Sequence, residues 1–252
     1  MTIIEQKEYK VRRQKLFDHM EENSLLIISG EIEKVRNNDV NYEFRQDSNL
    51  WYLTGLEEPD ALMIMVKKDS EKYILFLQEK KVEEEVWTGY RIGAAKAKSF
   101  FLADESYNSN QLDKLAKIIF SCEKIYYNLS SSKKVDDLIF EGLRNFRRTK
   151  SRTGVPNPLI IDPSVLIDSM RLIKSNNEIN MISQAIDITA KGFNEAIKFT
   201  SPRRNEYEVQ EMLEKEFRLS NSLSKKSQEL NTNKIKRRSC LGEWQFRSGL
   251  FH

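Results

Sequence analysis

The sequence is short of the residues that most often carry chemistry or cross-links. It has two cysteines, Cys122 and Cys240, far apart and outside any metal-type pair. No disulfide framework follows, and a reducing cytoplasm is the compartment this usage predicts. The two histidines, His19 and His252, form no zinc-type pair. A glycine-rich phosphate loop and a Gly-x-Ser-x-Gly elbow are both lacking, so neither nucleotide cradling nor an exposed serine nucleophile is indicated. Charge of one sign is lacking too. A net +3 over 252 residues gives no global pull toward nucleic acid or an anionic membrane. The longest apolar runs, such as Ala61 to Val66, are strand-sized and far too short to span a bilayer. Met1 to Lys10 carries Glu5, Lys7, Glu8 and Lys10, which is no apolar signal core. Neither nucleic acid nor a membrane is an expected partner.

What is present is ordinary material for a globular chain, with 39% hydrophobic and 31% charged residues. The length suits one large domain or two smaller ones. Residues 5–22 place Val11, Leu16, Phe17 and Met20 roughly on one helical face. Short apolar runs at 24–30, 50–55, 61–66 and 72–77 read as strands, with turns at Glu57-Glu58-Pro59-Asp60 and Lys68-Asp69-Ser70. Their close succession predicts an antiparallel or mixed sheet. Helices are expected over 111–120 and 134–148, with a strand over 124–128. The fold class is therefore α/β, a mixed β-sheet flanked by helices.

The loop 150–158, with Gly154, Pro156 and Pro158, is the best boundary in the sequence. Beyond it, Ser175 and Glu178 have the spacing of a capping box. The helix behind them, to about Lys198, is expected to bury Ile179, Ile182, Ile186, Ala190, Phe193 and Ile197. Asn205 and Glu208 offer a similar start to a second helix through Phe217. After Leu219, serine, asparagine, lysine and glutamine dominate without a period. The basic cluster at 234–238 reads as a solvated run, since no nucleic-acid motif accompanies it.

The stretch 36–61, RNNDVNYEFRQDSNLWYLTGLEEPDA, resembles the motif in the amino-terminal domain of aminopeptidase P. Tyr42, Phe44 to Ser48, Tyr52 to Gly55 and Glu58 to Ala61 carry the likeness. Arg12-Arg13, the Trp87 to Gly93 segment (WTGYRIG), Met170 to Ser175 with Glu178-Ile179, Glu206 to Val209 and Glu216 to Arg218 extend it in order. The resemblance implies an amino-terminal domain over 1–163 with a mixed sheet and helices on both faces. It implies a linker and the opening helices of a pita-bread catalytic domain over 164–218, leaving an aberrant tail over 219–252. In that family two metal ions, usually manganese, activate a water that attacks the bond before a proline in second position of a peptide. Asp39, Trp87 and Arg152 match positions that approach the mouth of the active site, in part from a neighbouring subunit, so substrate binding and a homo-oligomer are implied for them. The plainer alternatives are a loop turn for Asp39, a packed anchor for Trp87 and a solvated charge for Arg152. With the catalytic half absent, the plainer alternatives are preferred. Arg45 and Asp47 are read as bracing a turn.

Two hard divalent cations need several carboxylates and commonly an imidazole. The family places two aspartates, a histidine and two glutamates beyond the two helices just described. Here the histidines are His19 and His252, and beyond Arg171 the only aspartate is Asp187. Glu229, Cys240, Glu243 and His252 are scattered and lack a scaffold. No catalytic residue and no metal ligand is therefore expected in this chain. The functional expectation is a truncated Xaa-Pro aminopeptidase, inactive alone, with the abrupt change after Arg218 suggesting a shifted or prematurely ended reading frame. The alternative is a non-catalytic module that binds peptides or proteins or drives oligomerisation. Ile182, Ile186, Phe193, Met212, Leu213 and Phe217 leave apolar helix faces that invite association.

Overall fold

The computed structural model describes residues 4–81, 83, 85, 89–153 and 157–223. Trp87, Gly154, Pro156, the cluster at 234–238 and the scattered tail residues Glu229, Cys240, Glu243 and His252 lie outside the described residues. The chain divides into two compact units, Ile4–Ile173 and the segment from Lys174 onward. The first therefore runs past the boundary expected at residue 163.

The first unit is built on a six-stranded mixed sheet. Helix α1 (Gln6–His19) leads into β1 (Ser24–Ser29), a two-stranded hairpin β2 (Val35–Asn37) and β3 (Val40–Asn41), and helix α2 (Ser48–Thr54). Then come β4 (Leu62–Lys67), β5 (Glu71–Leu77), α3 (Gly93–Phe100), β6 (Glu105–Asn108), α4 (Asp113–Ile119), β7 (Lys124–Tyr127), α5 (Lys133–Thr153), β8 (Leu159–Ile161) and α6 (Ser164–Leu172). The strand order is β6-β5-β4-β1-β7-β8. β1–β4 and β4–β5 pair antiparallel, whereas β5–β6, β1–β7 and β7–β8 pair parallel.

Alternate residues of the central strands point to opposite faces. Leu26, Ile28, Met63, Met65 and Leu75 pack with Leu16, Phe17, Leu53, Ala97 and Ile167 on one side. Leu25, Ile27, Ile64, Ile74 and Phe76 pack with Leu115, Ile119, Val135 and Ile139 on the other. Strands buried on both faces read as continuous apolar runs, which is why Ser24–Ser29 and Leu62–Lys67 were visible in the sequence. Each fully buried Leu or Ile contributes about 1.5–3 kcal/mol.

The run at 50–55 is a helix, not the expected strand, and its ends explain why. The Asp47 side chain accepts hydrogen bonds from the Asn49 and Leu50 backbones at 2.9 and 2.8 Å, capping α2. Gly55, at φ 71°, closes it in the left-handed conformation and donates its N–H to Trp51 O at 2.8 Å. Thr54 Oγ1 donates back to Leu50 O at 2.7 Å. The last carbonyls meet buried guanidinium groups: Arg12 Nη1 donates to Tyr52 O at 2.9 Å and Arg13 Nη1 to Leu53 O at 2.8 Å. Caps outweigh the strand propensity of a Trp-Tyr pair. Lys67 does the same for α1, its Nζ donating to Phe17 O and Met20 O at 2.9 and 3.0 Å.

Helix α6 belongs to the first unit through buried Leu166 and Ile167. Tyr52 Oη donates to Met170 O at 3.1 Å, and Arg171 Nη1 to Asn49 Oδ1 at 2.7 Å.

The second unit holds helices α7 (Asn176–Phe199) and α8 (Glu206–Leu223). The expected capping box is present: Glu178 N–H donates to Ser175 Oγ at 3.2 Å and Ser175 N–H to Glu178 Oε2 at 2.8 Å. The expected buried face of α7 is a correction. Ile179, Ile182, Ile186, Ala190, Phe193 and Ile197 are exposed, and the buried residues of α7 are Gly192 and Ala196. Two helices approach most closely where their side chains are small; a Cβ added to Gly192 would sit 2.9 Å from Phe217 Cε1.

Candidate functional site

Because β1 runs antiparallel to β4 and β4 to β5, the chain leaves β1, enters β4 and leaves β5 at one end of the sheet. Gln46, itself buried, knits the segment after β1 to the one before β4. Its Oε1 accepts from the Glu31 and Asp47 backbones, both at 2.9 Å, and its Nε2 donates to Glu58 O at 2.7 Å. Asp60 N–H donates to Glu31 O at 2.9 Å, and the Asp60 carboxylate binds Lys134 Nζ at 2.7 and 2.8 Å.

Glu58 joins the segment after β5. Its Oε1 accepts from the Ile92 N–H at 2.6 Å, whereas its Oε2 is buried and meets no donor among the described residues. Burial pushes this carboxyl above the usual carboxylate range, against the pull of the Ile92 N–H, Arg91 and Lys80. Arg91 is buried, with its Nη2 3.5 Å from Glu33 Oε1. The Arg91 N–H donates to Glu85 Oε1 at 3.1 Å and its carbonyl accepts from Lys80 Nζ at 3.1 Å. Lys80 also pairs with Glu85 at 2.8 Å and lies 4.2 Å from the centre of the Tyr90 ring. The Lys80 hydrogen bond holds Glu85 below its ordinary range.

Of the three residues expected near a pocket mouth, Asp39 alone is described with its side chain. Asp39 is exposed at the turn joining β2 and β3. Trp87 lies outside the described residues, and Arg152 is described only as backbone in the last turn of α5. Arg45 is exposed, and Asp47 serves as the cap of α2. Gln46 and Glu58 were read in the sequence only as part of the 36–61 motif and, for Glu58, of a turn, and Glu85 was not singled out. The signal available was Glu58-Pro59 in a turn facing a motif that carries a lone arginine.

The described residues do not fit a dinuclear metal centre. Among the described residues no group of three or more His, Cys, Asp or Glu side chains could hold a metal ion. His19 sits on α1 with its Nδ1 2.6 Å from Lys15 O, and Asp187 is exposed on α7. The loop cluster is built to position backbone, with its carboxylates engaged by N–H groups and cations. No helix among the described residues is long and apolar enough to cross a membrane.

A mixed sheet covered on both faces, with a hydrogen-bonded loop cluster at one end, defines an α/β domain. Residues 9–126 match the family model described as Aminopeptidase P, N-terminal domain. The chain carries an aminopeptidase P amino-terminal domain. It is 36% identical to the Xaa-Pro aminopeptidase of Haemophilus influenzae over 86% of this chain and 48% of that protein. It is 30% identical to intermediate cleaving peptidase 55 of Saccharomyces cerevisiae, over 83% of this chain and 43% of the relative. A structure of aminopeptidase P from Escherichia coli superposes with a TM-score of 0.80 at 27% identity, covering 86% of this chain and 50% of that one. Another structure of the E. coli enzyme is zinc-substituted and in complex with product. The chain spans about half the length of these relatives.

Proposed function

We propose that this chain supplies the amino-terminal half of an Xaa-Pro aminopeptidase, the half that frames a peptide site without performing the hydrolysis. The ordered likeness to Xaa-Pro aminopeptidases over 86% of the chain carries the reading. In it, the substrate is a peptide with proline in second position, and Asp39, Trp87 and Arg152 border its pocket, in part across a subunit contact. Manganese is the metal of the complete site. These 252 residues alone neither hold it nor turn over, because a two-metal centre needs a carboxylate and imidazole set that their sequence does not bring together. A cytoplasmic compartment goes with this reading.

The test is manganese stoichiometry on the purified 252-residue chain beside hydrolysis of an Xaa-Pro dipeptide. No tightly bound manganese and no turnover are expected. Two ions per chain with turnover would overturn the proposal.

A second reading is a non-catalytic peptide- or protein-binding or oligomerisation module. The exposed row Ile179, Ile182, Ile186 and Phe193 on α7 favours it. Sedimentation of the chain across a concentration series tests it, since a module of that kind gives a single defined assembly and a chain that stays monomeric at every concentration would count against it.

A further inference from the structure

The loop carrying Tyr90, Arg91 and Ile92 is fastened by two carboxylates in opposite electrostatic settings. Glu85 is met by Lys80 at 2.8 Å and by the Arg91 N–H. Among the described residues, Glu58 is met at Oε1 by the Ile92 N–H, and its Oε2 is buried with no hydrogen-bond partner. An ionised carboxylate spreads its charge over both oxygens, so a buried Oε2 without a donor makes the charged form costly. A neutral carboxyl still offers Oε1 to the Ile92 N–H and removes the buried charge.

We propose that Glu58 is a proton-operated latch, a positioning residue whose neutral carboxyl seats the Tyr90–Ile92 segment on the 57–60 turn and whose charged form loosens it. The latch gains its functional meaning from the reading above, in which Trp87, a few residues before Tyr90 in the sequence, borders a peptide pocket. It is nevertheless a property of the 252-residue chain by itself.

The charged groups around Glu58 set the sign. Arg91 and Lys80 favour its ionised form, while Glu85 opposes it. Glu33 reaches Arg91 from the hairpin side, and Lys96 on α3 acts on Glu85. Burial outweighs the attractions, so Glu58 binds its proton more tightly with the loop seated than with it released. Seating is therefore complete below the ordinary glutamate range and weakens as pH rises through the elevated one. Glu85 behaves oppositely: its bond to the Arg91 N–H is lost only in stronger acid. Seating is tightest between the two, in mild acid.

The experiment is amide hydrogen exchange of the full chain across pH 4 to pH 8, corrected for intrinsic rates, with Ile64 in β4 as the reporter of global stability. In the wild type, protection at Ile92 should fall several-fold from mild acid to pH 8 while Ile64 holds. Glu58→Gln presents the same acceptor without a charge, so it should keep Ile92 protected and remove the fall. Glu58→Ala should leave Ile92 unprotected throughout. A Glu58→Gln profile that falls like the wild type, or a wild-type profile that is flat, overturns the latch. Neither result depends on turnover, so failure here leaves the aminopeptidase reading standing, and failure of the dipeptide test leaves the latch standing.

Discussion

The two units bury their apolar residues in different ways. In the first, β1 and β4 are sandwiched between two helical layers, and Leu26, Met63, Ile64 and Met65 are fully buried. In the second, a hairpin of two long helices packs through Gly192, Ala196, Leu213 and Phe217, and α7 leaves Ile186 and Ile197 60% and 69% exposed. One unit closes its core with residues distant in sequence, whereas the other has a single neighbour to offer. A helix pair can satisfy its backbone and caps by itself yet bury only one stripe of each helix. Good local signals thus do not guarantee a buried core.

That contrast can be broken at several points. Leu26→Ala or Ile64→Ala should cost about 2–5 kcal/mol by denaturant titration, because each opens a cavity in a two-sided core. A loss below about 1 kcal/mol at both sites would mean the sheet is not the stabilising layer described above. Arg13→Ala should cost about 3 kcal/mol, since it strips charged donors from buried carbonyls, and thermal melts would register it. Asp47→Ala removes a helix cap and should cost about 1 kcal/mol. Circular dichroism should show the loss confined to a single short helix. Ile186→Ser lies at the opposite pole. It should move the melt by less than about 0.5 kcal/mol, yet lower the average mass in sedimentation wherever α7 faces mediate association. A melt shift as large as that of Leu26→Ala would show the α7 face to be buried in solution and erase the difference between the units.

Strands β1, β4, β5 and β7 were legible because a covered strand writes an apolar run, whereas the short β2, β3, β6 and β8 were not expected. Helix α2 was not, because its interior reads as strand and its identity rests on Asp47 and Gly55 at its ends. The capping box at Ser175 was legible since both partners are local, but the buried side of α7 depends on where α8 approaches, at Gly192. The loop cluster was hidden for a related reason. Gln46 meets Glu58 across 12 positions and Glu58 meets Ile92 across 34, so no window of sequence displays the pairs. Asp39, by contrast, stands at a two-residue hairpin turn, the kind of position its residue type suggests.

Arg13 sends one guanidinium to two places, donating from Nη1 to Leu53 O and from Nη2 to Phe101 O at 3.1 Å, with its carbon 4.0 Å from the centre of the Tyr73 ring. A single planar cation thereby ties the ends of α2 and α3 to α1 and rests on a strand. Lysine has neither the fork nor the flat face to span both carbonyls. Exchanging these two similar letters would uncouple three helices at once, and the corner they form would behave as a joint rather than a weld.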